Sequence, residues 1–185
     1  CKQRIYNFDQ LPPSSQSKEA PQMIKNIFGK TGENVWVEAP FHCDYGWNIE
    51  VGENFYSNYN LTILDVGKVT CGKNVQIAPN VSIYTAGHPV HPDSRNSGYE
   101  YGIPVTVGDN VWIGGNTVIL PGVTVGSNVV IGAGSVVSKD IPDNTIAAGN
   151  PCKVIREITD EDRIYYFKKQ KFDDEAWEEV KNKNK

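Results

Sequence analysis

VGDNVWIGGNTVILPGVTVGSNVVIGAGSVVS, residues 107–138, places an aliphatic residue at every sixth position: Val107, Ile113, Ile119, Val125, Ile131 and Val137. Directly after these stand Gly108, Gly114, Leu120, Gly126, Gly132 and Ser138, and four places on come Val111, Thr117, Val123, Val129, Ser135 and Ile141. Val and Ile fill 13 of the 33 positions from Val105 to Val137, so six hits in one fixed phase arise by chance roughly once in 300 trials. A six-residue beat is neither the 3.6 of a helix nor the alternation of a hairpin sheet. It predicts a parallel β-helix of hexapeptide repeats, an all-β solenoid in which three short strands make a triangular coil of about 18 residues. The aliphatic residue points to the axis and the small one permits the corner. The frame continues upstream in blocks (Val37 and Cys43; Val51, Ser57 and Ile63; Cys71, Ile77 and Ile83), each restarting after two extra residues. Spacing leaves the hand open, and crossover chirality alone favours a right-handed coil.

The 185 residues suit one domain with small appendages. The solenoid is assigned to 33–158, an N-terminal helical cap to 1–32 and a C-terminal helical tail to 159–185. Ile24, Ile27 and Phe28 have helical spacing, with Ser17 as candidate N-cap and Gly29 as stop, although Pro21 blurs the start. Thr159 is a candidate N-cap before DEDRIYYFKKQ, with a second helical piece around Asp173 to Val180. Between Ile83 and Val107 lie four whole periods with no aliphatic residue at positions 89 and 95. That stretch predicts a long loop, 84–104, extruded from the wall, and loops of this length usually carry function.

Hydrophobic residues make up 39% of the chain and charged ones 22%, and no apolar run approaches the ~20 residues of a membrane span. The formal net charge of −4 argues against a general nucleic-acid binder. Cys1, Cys43, Cys71 and Cys152 form no CxxC pair, so they read as reduced thiols. The chain opens at Cys1 rather than Met, and its start lacks the layout of a signal peptide; cytoplasmic residence is the default expectation. With only His42, His88 and His91 in the chain, two of them in one loop, no metal site is expected. Taken alone, His88 has two readings: a loop residue bonded to its own backbone, or a general base. Histidine suits the second because its unperturbed pKa, about 6.5, lets a neutral imidazole accept a proton near neutrality.

FYSNYNLTILDV (55–66), YTAGHPVHPDSRNSG (84–98) and the run from Pro104 to Ile158 with AAGNPCKVIR (147–156) together resemble the galactoside and maltose O-acetyltransferase family of hexapeptide-repeat acyltransferases. The likeness extends from about Ile5 to Phe172. It implies a left-handed parallel β-helix and a homotrimer with active sites between subunits. The implied reaction is direct transfer of an acetyl group from acetyl-CoA to a sugar hydroxyl of galactoside, maltose or glucose type. No metal and no acyl-enzyme is called for, so catalysis rests on positioning and proton removal. His88 matches the family's general base, and the backbone N–H of Gly115 matches its oxyanion donor.

On the acceptor side the resemblance implies Asp44 and Asn58, with Arg95 and Glu100 from the loop. Tyr45 or Trp47 has two readings, a surface that stacks on a sugar face or a core or trimer contact. Coenzyme A needs an apolar groove and cations: Trp112, Gly115, Ala133 and Ser138 match the channel, and Lys139, Lys153 and Arg156 the phosphate end. Cys71 sits at an inward repeat position and reads as core filler. Val66 stands where galactoside-type relatives carry a second acidic residue, and LDV with RNSG and Glu100 is nearer the maltose-type pattern. The family's extreme N-terminal helical segment, which brings another acceptor-facing residue, is not among these 185 residues. Two alternatives remain open: an amino sugar or hydroxyl-bearing xenobiotic as acceptor, and a non-catalytic β-helical binding module.

Overall fold

The computed structural model describes residues 1–183, and at its centre three-stranded coils stack in register. The first coil runs through β1 (Val35–Val37), β2 (Phe41–Cys43) and β3 (Ile49–Val51), the second through β4 (Phe55–Ser57), β5 (Leu61–Leu64) and β6 (Val69–Cys71). The third has β7 (Gln76–Ile77) and β8 (Ser82–Tyr84). Here the chain leaves the wall through β9 (Ala86–Gly87), α3 (Pro92–Asn96) and β10 (Tyr101–Gly102) before returning as β11 (Val105–Val107). The fourth holds β12 (Trp112–Ile113), β13 (Val118–Ile119) and β14 (Thr124–Val125), and the fifth β15 (Val130–Ile131) and β16 (Val136–Val137). β17 (Thr145–Ala148) opens a sixth, and β18 (Lys153–Glu157) turns back antiparallel along it.

Three flat walls result: β1-β4-β7-β12-β15-β17-β18, then β2-β5-β8-β13-β16, then β3-β6-β11-β14. Corner I joins the first wall to the second, corner II the second to the third, and corner III closes the coil. Inward partners on the first wall are Val37, Ser57, Ile77, Ile113, Ile131 and Ala147, all buried. Their spacings of 20, 20, 36, 18 and 16 residues locate the extra residues: they fall at corner II of the first three coils, at 44–48, 65–68 and 85–104. The extruded loop is the largest of three insertions stacked on one edge, and it carries a two-stranded hairpin and a short helix of its own.

Corner III is built from a recurring G-x-N. Asn54, Asn74, Asn110 and Asn128 all have φ between 55° and 57°, a left-handed conformation that Asn tolerates better than most residues. Their side chains form one ladder, Asn34 to Asn54, Asn74, Asn110, Asn128 and Asn144, each amide donating to the next at 2.8–3.0 Å. The glycine two places earlier lets coils approach: a Cβ on Gly108 would lie 2.8 Å from the Gly126 carbonyl carbon.

Ile113 shows what the column contributes. It is fully buried and paired with Ile77 below and Ile131 above, on backbones whose spacing the parallel strand hydrogen bonds fix (Ala78 N–H to the Ile113 carbonyl at 2.9 Å, Gly114 N–H to the Ile131 carbonyl at 2.8 Å). Ile113→Ala therefore leaves a cavity that cannot collapse and costs about 2–5 kcal/mol. By calorimetry this is a fall in Tm of roughly 5–15 °C for a chain of this size; a fall under about 3 °C contradicts the fixed-wall account.

Short helices form at both ends as expected, with different bounds. α1 (Lys2–Asp9) was not foreseen, and α2 spans Pro13–Ile27 rather than starting at Ser17. Pro12 is the N-cap and Pro13 takes the first helical position, where a missing N–H costs nothing. Pro21 sits inside the helix; Ser17, which loses its helical donor there, faces solvent. Ile5, Phe8, Ala20, Ile24 and Ile27 plug the open end of the solenoid. In the tail, DEDRI forms a 3-10 turn (Asp160–Ile164) and YYF enters a hairpin, β19 (Tyr165–Phe167) with β20 (Gln170–Lys171), in place of the expected helix. α4 (Asp174–Lys183) matches the second helical piece, and the last two residues of the 159–185 tail lie outside those described.

Candidate active site

The solenoid sorts the expected site residues onto two edges of the second wall. Corner II carries Asp44 on the first coil, the loop with His88, Arg95 and Glu100 on the third, and Ser138 and Lys139 on the fifth. Corner I carries Asn58, Gly115 and Ala133; the Asn116 N–H bonds to Pro79 O and the Gly134 N–H to Gly115 O, which aligns these turns in one column. From Ala133 to Ser138 the wall is five residues wide, about 16 Å at the rise of a strand. Within one chain, Gly115 and Asn58 do not meet His88.

His88 follows β9. Its Nδ1 lies 3.0 Å from the Tyr99 carbonyl, and a carbonyl only accepts, so in the neutral ring the hydrogen sits on Nδ1 and Nε2 is the acceptor nitrogen. Glu100 Oε1 stands 3.9 Å from that Nε2, with half of the His88 side chain exposed. Arg95 donates to the carbonyls of Val90 (2.9 Å) and Pro89 (3.4 Å), so it braces the loop. His91 caps α3 by accepting the Asp93 N–H at 3.2 Å, and Asp93 Oδ2 lies 3.8 Å from the same nitrogen.

Asp44 is half-buried beside this loop. Burial pushes its carboxyl above the ordinary range, the charges of Asp65 and Glu100 add to that, and Lys2 of α1 opposes it. Tyr45 and Trp47 share the same corner with ring centroids 4.9 Å apart; both are exposed, which removes the core reading. Sequence reasoning missed Lys2 and Asp65, the latter fully buried beneath the corner. Asp65 precedes the noted Val66, and only the two-residue excess at this corner pointed toward it.

Toward the other end of the stack, Trp112 is 55% exposed on the outer face of the first wall, between Gln76 and Val130. Ala133, Ser138 and Lys139 are exposed at either end of β16. A Cβ on Gly134 would meet nothing within 4 Å, so the tip of this corner faces open space. Among the described residues neither Lys139 nor Lys153 enters an ion pair, whereas Arg156 donates both guanidinium nitrogens to Asp162 at 2.7 Å. That pair holds the Asp162 carboxyl well below the usual range. Cys71 and Cys43 are each pushed up to about 12, first by burial, so neither supplies a thiolate near neutral pH. Among the described residues no cluster of three His, Cys, Asp or Glu stands ready for a metal ion, and no helix is long and apolar enough to cross a membrane.

Residues 104–139 match the family model for the bacterial transferase hexapeptide (six repeats). The galactoside O-acetyltransferase of Escherichia coli K12 is 54% identical over 167 residues, 90% of this chain and 82% of that protein. The chain belongs to the galactoside and maltose O-acetyltransferase family. Solved structures agree with that membership. A galactoside acetyltransferase in complex with coenzyme A superposes with a TM-score of 0.90 at 53% identity, over 93% of this chain and 86% of that one. A maltose O-acetyltransferase from Clostridium difficile 630 gives 0.84 at 52%, over 86% and 85%. Both branches of the O-acetyltransferase family thus match this chain almost equally well.

Proposed function

We propose that the protein moves the acetyl group of acetyl-CoA directly to a hydroxyl of a galactoside, maltose or glucose type sugar, with His88 as general base. The observation that carries this reading is the His88 geometry: the Tyr99 carbonyl fixes the proton on Nδ1 and leaves Nε2 to take the acceptor proton. The freed alkoxide attacks the thioester carbon while the Gly115 N–H, which no carbonyl among the described residues takes, receives the developing oxyanion. Collapse breaks the C–S bond, and the proton on Nε2 returns to the departing thiolate. The relative solved with coenzyme A supports this donor. Here Trp112, Ala133 and Ser138 would line the pantetheine, and Lys139, Lys153 and Arg156 would meet the phosphates, with Arg156 leaving Asp162 to do so.

The site is shared between subunits of a homotrimer. His88 and Gly115 sit on opposite edges of one wall, and residues 90–104 are all exposed on the single chain, with Val90 at 93%. Threefold packing sets corner I of one subunit against corner II of the next and covers both. The paired carboxylates of Asp44 and Glu100 favour a second acceptor class, amino sugars. Cytoplasmic residence belongs to the same reading and rests on four free thiols.

Free-thiol release from acetyl-CoA, measured against a no-acceptor blank, tests the proposal with galactosides, glucosides, maltose and amino sugars. Acceptor-dependent release is expected with at least one sugar. Release that no acceptor stimulates rejects the reading and favours the binding-module alternative.

A further inference from the structure

We infer that Asp65 is a positioning residue for the acceptor: its buried carboxylate holds corner II of the first coil, and with it Asp44, in the geometry that meets the sugar. The inference rests on the acetyl-transfer reading above. Asp65 is fully buried, yet among the described residues it pairs with no cation. Its Oδ1 accepts the N–H groups of Asp44 and Tyr45 at 2.9 Å each, and its Oδ2 accepts the Gly46 N–H at 2.7 Å. Three successive N–H groups converging on one anion form a nest, filled here from inside the chain. The corner can take this shape because Gly46 has φ +81° and because a Cβ there would come within 2.5 Å of the Ile27 carbonyl oxygen of α2. Asn48 closes the clasp by donating to the Asp65 carbonyl at 2.8 Å.

The neighbouring corner repeats the device. Thr85 Oγ1 accepts the Gly67 N–H at 2.8 Å and donates to the Leu64 carbonyl at 2.6 Å. Thr85 also opens the His88 loop, and its carbonyl takes the Ile103 N–H from the returning end at 2.8 Å. The second and third coils thus each supply one buried acceptor that clamps the insertion of the coil before it. The three insertions on this edge form one connected support, with Asp44 at one end, Glu100 and His88 at the other, and Asp65 beneath the acceptor end.

Asp65→Asn is the matching variant, because it keeps the volume and changes the hydrogen-bond capacity. An amide in the Oδ2 position faces the Gly46 N–H, and in the Oδ1 position it faces two, so at least one of the three bonds is lost either way. With the corner loosened, kcat/KM for the acceptor is expected to fall roughly ten- to a hundredfold, mainly through KM. The KM for acetyl-CoA stays within about twofold, because the cofactor groups lie on other coils. A merely structural role lowers the active fraction and moves neither KM; that result overturns the inference. If Asp65→Asn does not fold, Asn48→Ala removes only the outer clasp, and an unchanged acceptor KM in that variant overturns it equally. Hydrogen exchange gives a readout independent of turnover. The native amides of residues 44–46 exchange slowly and those of Asp65→Asn fast. Native amides exchanging as fast as those of 90–100 defeat the inference whether or not an acceptor is found, whereas slow exchange with no acceptor turnover defeats only the proposed reaction.

Discussion

His88→Ala lowers acceptor-dependent acetyl transfer by about 10²-fold or more, the loss expected when a general base is removed. The fold survives the change. His88 sits on an exposed loop and its side-chain hydrogen bond to the Tyr99 carbonyl spans residues of that same loop, so Tm is expected to move by no more than a few degrees. Coenzyme A affinity is retained as well, because Trp112, Ala133 and Lys139 lie on other coils. His88→Asn serves as control for the loop: its amide can still donate to Tyr99, but it cannot accept a proton near neutrality. Both variants are expected to fall together in kcat, as measured by thiol release with acetyl-CoA saturating. An alanine variant as active as the native protein removes His88 from the chemistry. An asparagine variant that retains activity while alanine loses it makes His88 a loop brace instead.

The walls are legible in the sequence because the last residue of almost every wall strand faces the axis, where aliphatic side chains predominate and only small ones such as Ser57 and Cys71 replace them. Asn54, Asn74, Asn110 and Asn128 were equally regular in three dimensions yet passed unread. Their spacing follows coil length, and the extra residues at corner II break it. The hand came from resemblance alone, because identical spacing serves either hand. At the start of α2 Pro13, with its fixed φ, is a stronger signal than Ser17 as an N-cap, and the helix begins there. IYYF was read as helical from its context, although its aromatic and β-branched residues suit the hairpin that forms. In the site, His88 stood out as a break in the beat, while its tautomer depended on Tyr99, eleven residues away. For Asp65 the sequence shows only the two-residue excess at its corner, since a nest is made by three N–H groups that belong to the previous coil.

Assemblies of the proposed trimer made from equal amounts of His88→Ala and Ala133→Trp chains are expected to recover activity that neither variant has alone. Ala133 is exposed on corner I, so a tryptophan there fills the proposed cofactor channel without disturbing the core, and each homogeneous trimer is inactive for its own reason. If each site takes His88 from one subunit and Ala133 from the next, random assembly gives about a quarter of the sites both intact halves. If instead each site is built within one chain, every site in the mixture carries one defect and recovery is nil. Mixing preformed trimers without exchange is the blank, and activity after co-refolding is the measurement. The prediction follows from the wall itself. Five residues separate Ala133 from Ser138 along a strand that cannot bend back on itself, so no rearrangement of a single coil brings corner I to His88, and in the proposed trimer it is the second copy that supplies that surface.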